Sequence, residues 1–186
     1  MKIFFIIFCI IFLWIYLVYN LNKRYMKLGT LLFITLSYLT LYFGSNEEFF
    51  RLMVFQLYVC CIGFQDYETY YVSKQWVLFS VILIVCFLDS IYISGISFSI
   101  VACLMYLCKK NWIGCADIGI LFVFGLILGF KRMFVCLLIA IGIGLFFCIL
   151  SKKKIIPFIT FLCIGAYIAI LKGFSIWYMI YGILRV

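Results

Sequence analysis

Long, unbroken runs of apolar residues, such as Ile3–Tyr19 and Met133–Leu150, decide most of what this chain can fold into. Inside a bilayer no water is available to bond exposed N–H and C=O groups, so only helices and closed barrels cross it. Barrel strands alternate apolar and polar residues. These runs do not alternate. The expectation is therefore an all-α, polytopic membrane helix bundle. Composition agrees, with 69% hydrophobic and 11% charged residues, against roughly 25% charged in an average soluble domain. A soluble fold of 186 residues could not hide that much apolar surface. No soluble domain fits between the runs, so 1–186 reads as a single membrane-embedded domain.

A crossing needs about 20 apolar residues, with about 17 tolerated. On that measure about eight transmembrane helices are expected. They are Ile3–Tyr19, Leu28–Phe43, Phe49–Gln65, Tyr70–Leu88, Ser94–Lys110, Ala116–Phe130, Met133–Leu150 and Ile155–Lys172. The tail Phe174–Val186 is short for a ninth and is expected at the interface, with Trp177, Tyr178 and Tyr181 at headgroup depth. The fourth and fifth runs are the tightest: Trp76 to Cys108 barely holds two crossings, with a turn near Asp89–Gly95. The first run ends in Tyr19–Asn20–Leu21–Asn22 with no small-residue cleavage site, so it is expected to be a retained span rather than a signal peptide.

The net charge of +9 is distributed in short basic clusters between apolar runs: Lys23, Arg24 and Lys27; Lys109 and Lys110; Lys152 to Lys154. This pattern carries topology and favours anionic lipid rather than nucleic acid. If the Asn20–Lys27 loop is cytoplasmic, then Asp66–Thr69, Asn111–Cys115 and Ser151–Lys154 are cytoplasmic too, and Lys74 joins that side. The opposite side holds Lys2, Arg51, Lys131, Arg132, Lys172 and Arg185. The bias fits the positive-inside rule.

There is no histidine, and none of the ten cysteines forms a CxxC pair, so no metal and no cofactor is expected. Of six acidic residues, Glu47 and Glu48 read as solvated, and Asp89 as a structural residue at the outer turn. Asp66 closes the third run and Asp117 opens the sixth. Two crossings lie between them, which puts both at the cytoplasmic face. A carboxylate at that depth is costly without a role or a partner. Two carboxylates held together share a proton: the ionised one activates water, and the protonated one polarises a carbonyl. The competing reading is two unrelated interfacial aspartates bound to lysines such as Lys74 and Lys110. Glu68, two residues past Asp66, points elsewhere on a helix and is taken as a loop carboxylate.

Three segments in order resemble the type IV prepilin peptidases, the GxGD-type membrane aspartic peptidases of bacteria. Asp66–Tyr67–Glu68–Thr69–Tyr70–Tyr71–Val72–Ser73 looks like the family's first aspartate segment. Gly114–Cys115–Ala116–Asp117 looks like GxGD, and Ile156–Pro157–Phe158–Ile159–Thr160–Phe161–Leu162–Cys163–Ile164–Gly165 is similar to its late Ile-Pro-Phe segment. Arg24–Tyr25 at the second run also fits. The departures are Ala116 for the second Gly, Gly119 where Lys is frequent, and Ser73 for the usual Pro.

The resemblance implies an aspartic endopeptidase in the bacterial plasma membrane, with Asp66 and Asp117 catalytic and Gly114 and Ala116 supporting them. It implies a prepilin or pseudopilin substrate, of a type IV pilus or protein secretion system, whose leader is cut at the cytoplasmic face. Glu68 is a candidate for leader recognition. Larger members carry a cytoplasmic domain with paired CxxC motifs and N-methyltransferase activity. The corresponding region here is only Asn20–Lys27, so the resemblance gives methylation no support. The alternatives are a catalytically inactive relative acting in assembly and a small proton-coupled transporter.

Overall fold

A computed structural model describes residues 2–20, 24–43, 48–73, 75–108, 114–151 and 156–184. Among them the protein is all-helical, with seven α-helices: α1 (Lys2–Asn20), α2 (Arg24–Phe43), α3 (Phe49–Thr69), α4 (Gln75–Cys86), α5 (Ser97–Cys108), α6 (Cys115–Ser151) and α7 (Phe158–Leu184). Three helices are long and apolar enough to cross a membrane: Phe49–Thr69, Cys115–Ser151 and Phe158–Ile183. Phe4–Tyr16, Gly29–Tyr42 and Ile93–Cys108 are shorter apolar helices. The expectation of a membrane helix bundle is met at that level, while the count of about eight crossings is not established by helix length. Large apolar side chains such as Phe4, Leu107 and Ile149 point outward, as lipid-facing residues do.

Helix α3 is the central element. Its buried positions include Phe49, Leu52, Met53, Gln56, Val59 and Gly63, at the three- and four-residue spacing of one helical stripe. Asp66 continues the same stripe and is also buried. Against this helix pack α1, α2, α4 and α7. Helix α4 is fixed by Tyr58, whose hydroxyl pairs with Ser80 at 2.7 Å while its ring meets Trp76 edge-on. A fully buried polar cluster joins α2, α3 and α7. Gln56 Nε2 donates to Ser37 Oγ and to the Phe33 carbonyl, and Gln56 Oε1 accepts from Thr40 at 2.9 Å. The Tyr167 hydroxyl reaches Thr40 and donates to the Leu36 carbonyl.

Two of the expected spans, Ala116–Phe130 and Met133–Leu150, are joined without a loop inside α6. The junction is Gly129, at φ 72° and ψ 175°, a conformation essentially reserved for glycine. Beyond it the second half of α6 runs antiparallel to α7: Arg132 lies over the Phe174 ring, and Phe147 packs on Phe161. The first half packs on α3 through Phe124 and Phe55. It begins at the same end of the molecule as α7, so the chain reverses at Gly129.

Several boundaries differ from expectation. Helix α3 runs on to Thr69, so Glu68 is helical rather than in a loop. The fourth and fifth runs form helices of only 12 residues each, because Tyr70–Ser73 leaves the helix and Ile93–Ile96 is a 3₁₀ turn. The turn near Asp89–Gly95 is present, made of two 3₁₀ segments. The tail is not a separate segment. Helix α7 continues unbroken through Gly173 to Leu184, since Gly173 lies against Arg132 and Trp177 packs on Phe130 and Phe134. Lys23, Lys74, Lys109, Lys110, Lys152 to Lys154, Arg185 and Glu47, and the side chains of Arg24 and Lys27, lie outside the described residues, and with them most of the expected charge bias.

Candidate active site

Helix α3 ends one turn after Asp66. Tyr70 takes a left-handed conformation, φ 54°, and its N–H closes the helix on the Asp66 carbonyl at 2.9 Å. Thr69 Oγ1 donates to the Gln65 or the Tyr71 carbonyl, both at 2.8 Å. This tight exit leaves the Asp66 side chain in the final turn, 5% exposed and aimed into the bundle.

There it meets the start of α7. A helix presents unpaired N–H groups in its first turn. The residue before α7 is Pro157, which has no side-chain acceptor to cap them. Asp66 supplies the cap from another helix. Its Oδ2 accepts the Thr160 N–H at 2.9 Å, and the Thr160 hydroxyl lies 3.1 Å from the same oxygen. That hydroxyl is also 2.9 Å from the Gly63 carbonyl, one turn before Asp66. A carboxylate at the positive end of a helix dipole is favourably placed.

Asp117 is held in a similar way at the start of α6. It lies in the first turn, and its Oδ2 accepts the Gly114 N–H at 2.9 Å, the reach-back half of a capping box. A Cβ at Gly114 would come within 3.2 Å of that oxygen, closer than an ordinary contact. This gives the first glycine of Gly114–Asp117 a steric reason. Ala116 departs from the second glycine but is an ordinary helical residue within α6, and alanine is the best helix former. The departure therefore costs no backbone strain. At Gly119 nothing stands within 4 Å of an added Cβ.

The two carboxylates come from the end of α3 and the start of α6. Among the described residues neither has a cationic partner; Lys74 and Lys110, the lysines of the competing reading, lie outside them. Asp89 is at the far end of α3, paired with Arg51 and exposed. Glu68 is half-buried in the last turn of α3, on a different face from Asp66. Thr160 was not singled out by sequence reasoning. Its signal is its place in the Ile156–Gly165 segment, three residues past the chain's one proline.

Fold and site together define a membrane helical bundle with one carboxylate held at the end of α3 and another at the start of α6. Residues 52–149, a little over half of the chain, match the type IV leader peptidase family, and the protein belongs to that family. Asp66, Glu68, Gly114, Ala116 and Asp117 all fall inside the match, while Thr160 lies beyond it. Membership supports a leader-peptidase-like role. No curated relative and no solved structure matches the chain.

Proposed function

We propose that this protein is a membrane aspartic endopeptidase that removes the leader of a prepilin-like or pseudopilin precursor at the cytoplasmic face of a bacterial membrane. Asp66 and Asp117 are its catalytic pair. The observation that carries the reading is that each carboxylate sits at a helix end and is held by a backbone N–H, Asp66 in the last turn of α3 by Thr160 and Asp117 in the first turn of α6 by Gly114, in a chain of the leader peptidase family.

The chemistry follows from the pair. Two neighbouring carboxylates hold one proton between them and titrate as a unit. The ionised member takes a proton from water as the oxygen attacks the scissile carbonyl. The protonated member donates to the carbonyl oxygen as the tetrahedral intermediate forms. Proton return to the leaving amine then completes hydrolysis. Gly114 and the first turn of α7 orient the two carboxylates, through the Gly114 N–H on Asp117 and the Thr160 N–H on Asp66. Glu68, beside the site, is the candidate contact for a basic leader. A bundle of about eight crossings, with Asn20–Lys27 inside, would put the site at the cytoplasmic boundary.

The test is co-expression with prepilin-like precursors, scored for leader removal by gel shift and mass spectrometry. Cleavage by the wild-type chain and none by Asp66→Asn or Asp117→Asn at matched expression is the expected result. Normal cleavage by either variant would exclude the mechanism.

A further inference from the structure

Helices α2 and α7 both pack on α3 but scarcely on each other. Between them runs an open-sided apolar groove of about 520 Å³. Its floor is α3, at Val59, Cys60 and Gly63. One wall is α2, at Leu32, Leu36 and Leu39, and the other is α7, at Cys163, Ile164 and Ile168. The wall positions recur at three- and four-residue spacing, so each helix offers the groove a continuous face. One end is bridged by the buried polar cluster, where the Tyr167 hydroxyl ties α7 to Thr40 and to the Leu36 carbonyl of α2. The other end reaches Gly63 and Thr160, which are hydrogen-bonded to each other, and Thr160 is also bonded to Asp66.

We infer that this groove is the docking site for the apolar helix of the protein substrate, and that Gly63, Leu32 and Ile164 determine which helices fit. The inference rests on the peptidase reading above and deepens it. Three features favour a helix over a lipid acyl chain. The slot is open along one flank between diverging helices, which is the shape of helix-in-groove recognition. Its floor holds small residues, Gly63 and Cys60, among Val59, Phe64 and Tyr67, and small residues let a second helix backbone approach closely at that point. Its Thr160 end lies one hydrogen bond from Asp66, so an apolar helix lying in it would bring the peptide at its end towards the carboxylate. Leu32, Leu39 and Ile164 are each more than a third exposed, so the rim is accessible from the side.

The probe is a synthetic peptide with a short basic leader, a glycine at the junction and an apolar Leu/Ala helix of about 20 residues. The full-length chain is reconstituted in lipid nanodiscs. Photoreactive benzoylphenylalanine is placed at Leu32 or Ile164, with Leu145 on the outward face of α6 as control. Cross-linking is read in the Asp66→Asn background, so occupancy is measured without turnover. Capture of the peptide from positions 32 and 164 but not from 145 is the expected result. Capture of lipid alone, equal capture from 145, or no capture overturns the inference.

A second arm uses the active chain. Ile164→Trp narrows the groove from its α7 wall, at an exposed position outside the Asp66–Thr160 hydrogen bonds. It should raise KM for the peptide about tenfold, the discrimination a hydrophobic pocket typically supplies, with kcat little changed. Leu145→Trp should change neither. An unchanged KM, or a loss in kcat alone, would overturn the groove assignment. If the wild-type chain leaves the peptide uncut, the peptidase reading fails on that probe, while the cross-linking arm still decides whether the groove binds an apolar helix.

Discussion

At the residue scale, the two aspartates are each held by a helix N-terminus, Asp66 by that of α7 and Asp117 by its own. Groups that share one proton act as a unit, so their losses do not add. The Asp66→Asn, Asp117→Asn double variant is expected to cleave no more slowly than either single variant, measured as peptide release in detergent. Asp89→Asn should keep full activity, because Asp89 is exposed at the far end of α3 and its surface pair with Arg51 is worth at most about 1 kcal/mol.

Thr160 is a positioning residue in this scheme. Thr160→Val keeps the backbone N–H on Asp66 but removes the hydroxyl that Asp66 and Gly63 share. A hydrogen bond to a charged group is worth about 1.5–3 kcal/mol, so kcat should fall by roughly tenfold or more. Thr160→Ser should restore it. Failure of serine to restore activity would mean that the methyl packing, not the hydroxyl, matters. Asp66 and Asp117 were legible in the sequence because acidic residues are scarce in this chain and both sit at run boundaries. Thr160 was not. Its contact with Asp66 spans 94 residues, and no local pattern encodes a cap supplied by a different helix.

At the element scale, apolar run length located the helices, but their ends depended on single residues. Tyr70 ends α3 in a left-handed conformation that sequence would assign to glycine, so the expected start of the fourth run at Tyr70 moved to Gln75. Run length also suggested a break near Lys131 and Arg132, whereas the chain turns at Gly129. The tail Phe174–Val186 is too short for a span of its own, yet it is part of α7 as far as Leu184. Tertiary packing on the second half of α6 carries the helix through it. The Gly129 turn is tightly specified, for an added Cβ would lie 2.9 Å from the Tyr92 ring as well as sitting at positive φ. Gly129→Ala is therefore expected to destabilise the protein by about 1–3 kcal/mol, the cost of one residue in such a region, or more where the ring cannot move. Thermal unfolding in detergent would measure it. An unchanged midpoint would mean that the turn relaxes freely.

At the scale of the whole molecule, the arrangement is polar along α3. Arg51 and Asp89 mark one end and Asp66 the other, about 22 Å apart at 1.5 Å per helical residue. Helices α4 and α5 leave the Asp66 end, turn beside Asp89 and return to Asp117. That path leads the chain away from the Asp66 end and back before Asp117, with helices of only 12 residues each. Cys115 is exposed two residues before Asp117 and serves as a native reporter for that end. With the other cysteines replaced by alanine or serine, Tyr67→Cys reports on the end of α3, since Tyr67 is exposed next to Asp66. Asp89→Cys reports on the opposite end. In right-side-out and inverted vesicles, positions 67 and 115 should react with a membrane-impermeant maleimide from the same, cytoplasmic side. Position 89 should react from the other. Labelling of 67 and 115 from opposite sides would separate the two aspartates by a bilayer and end the shared-proton mechanism. Labelling of both from outside would keep the pair but reverse the face at which a leader is cut.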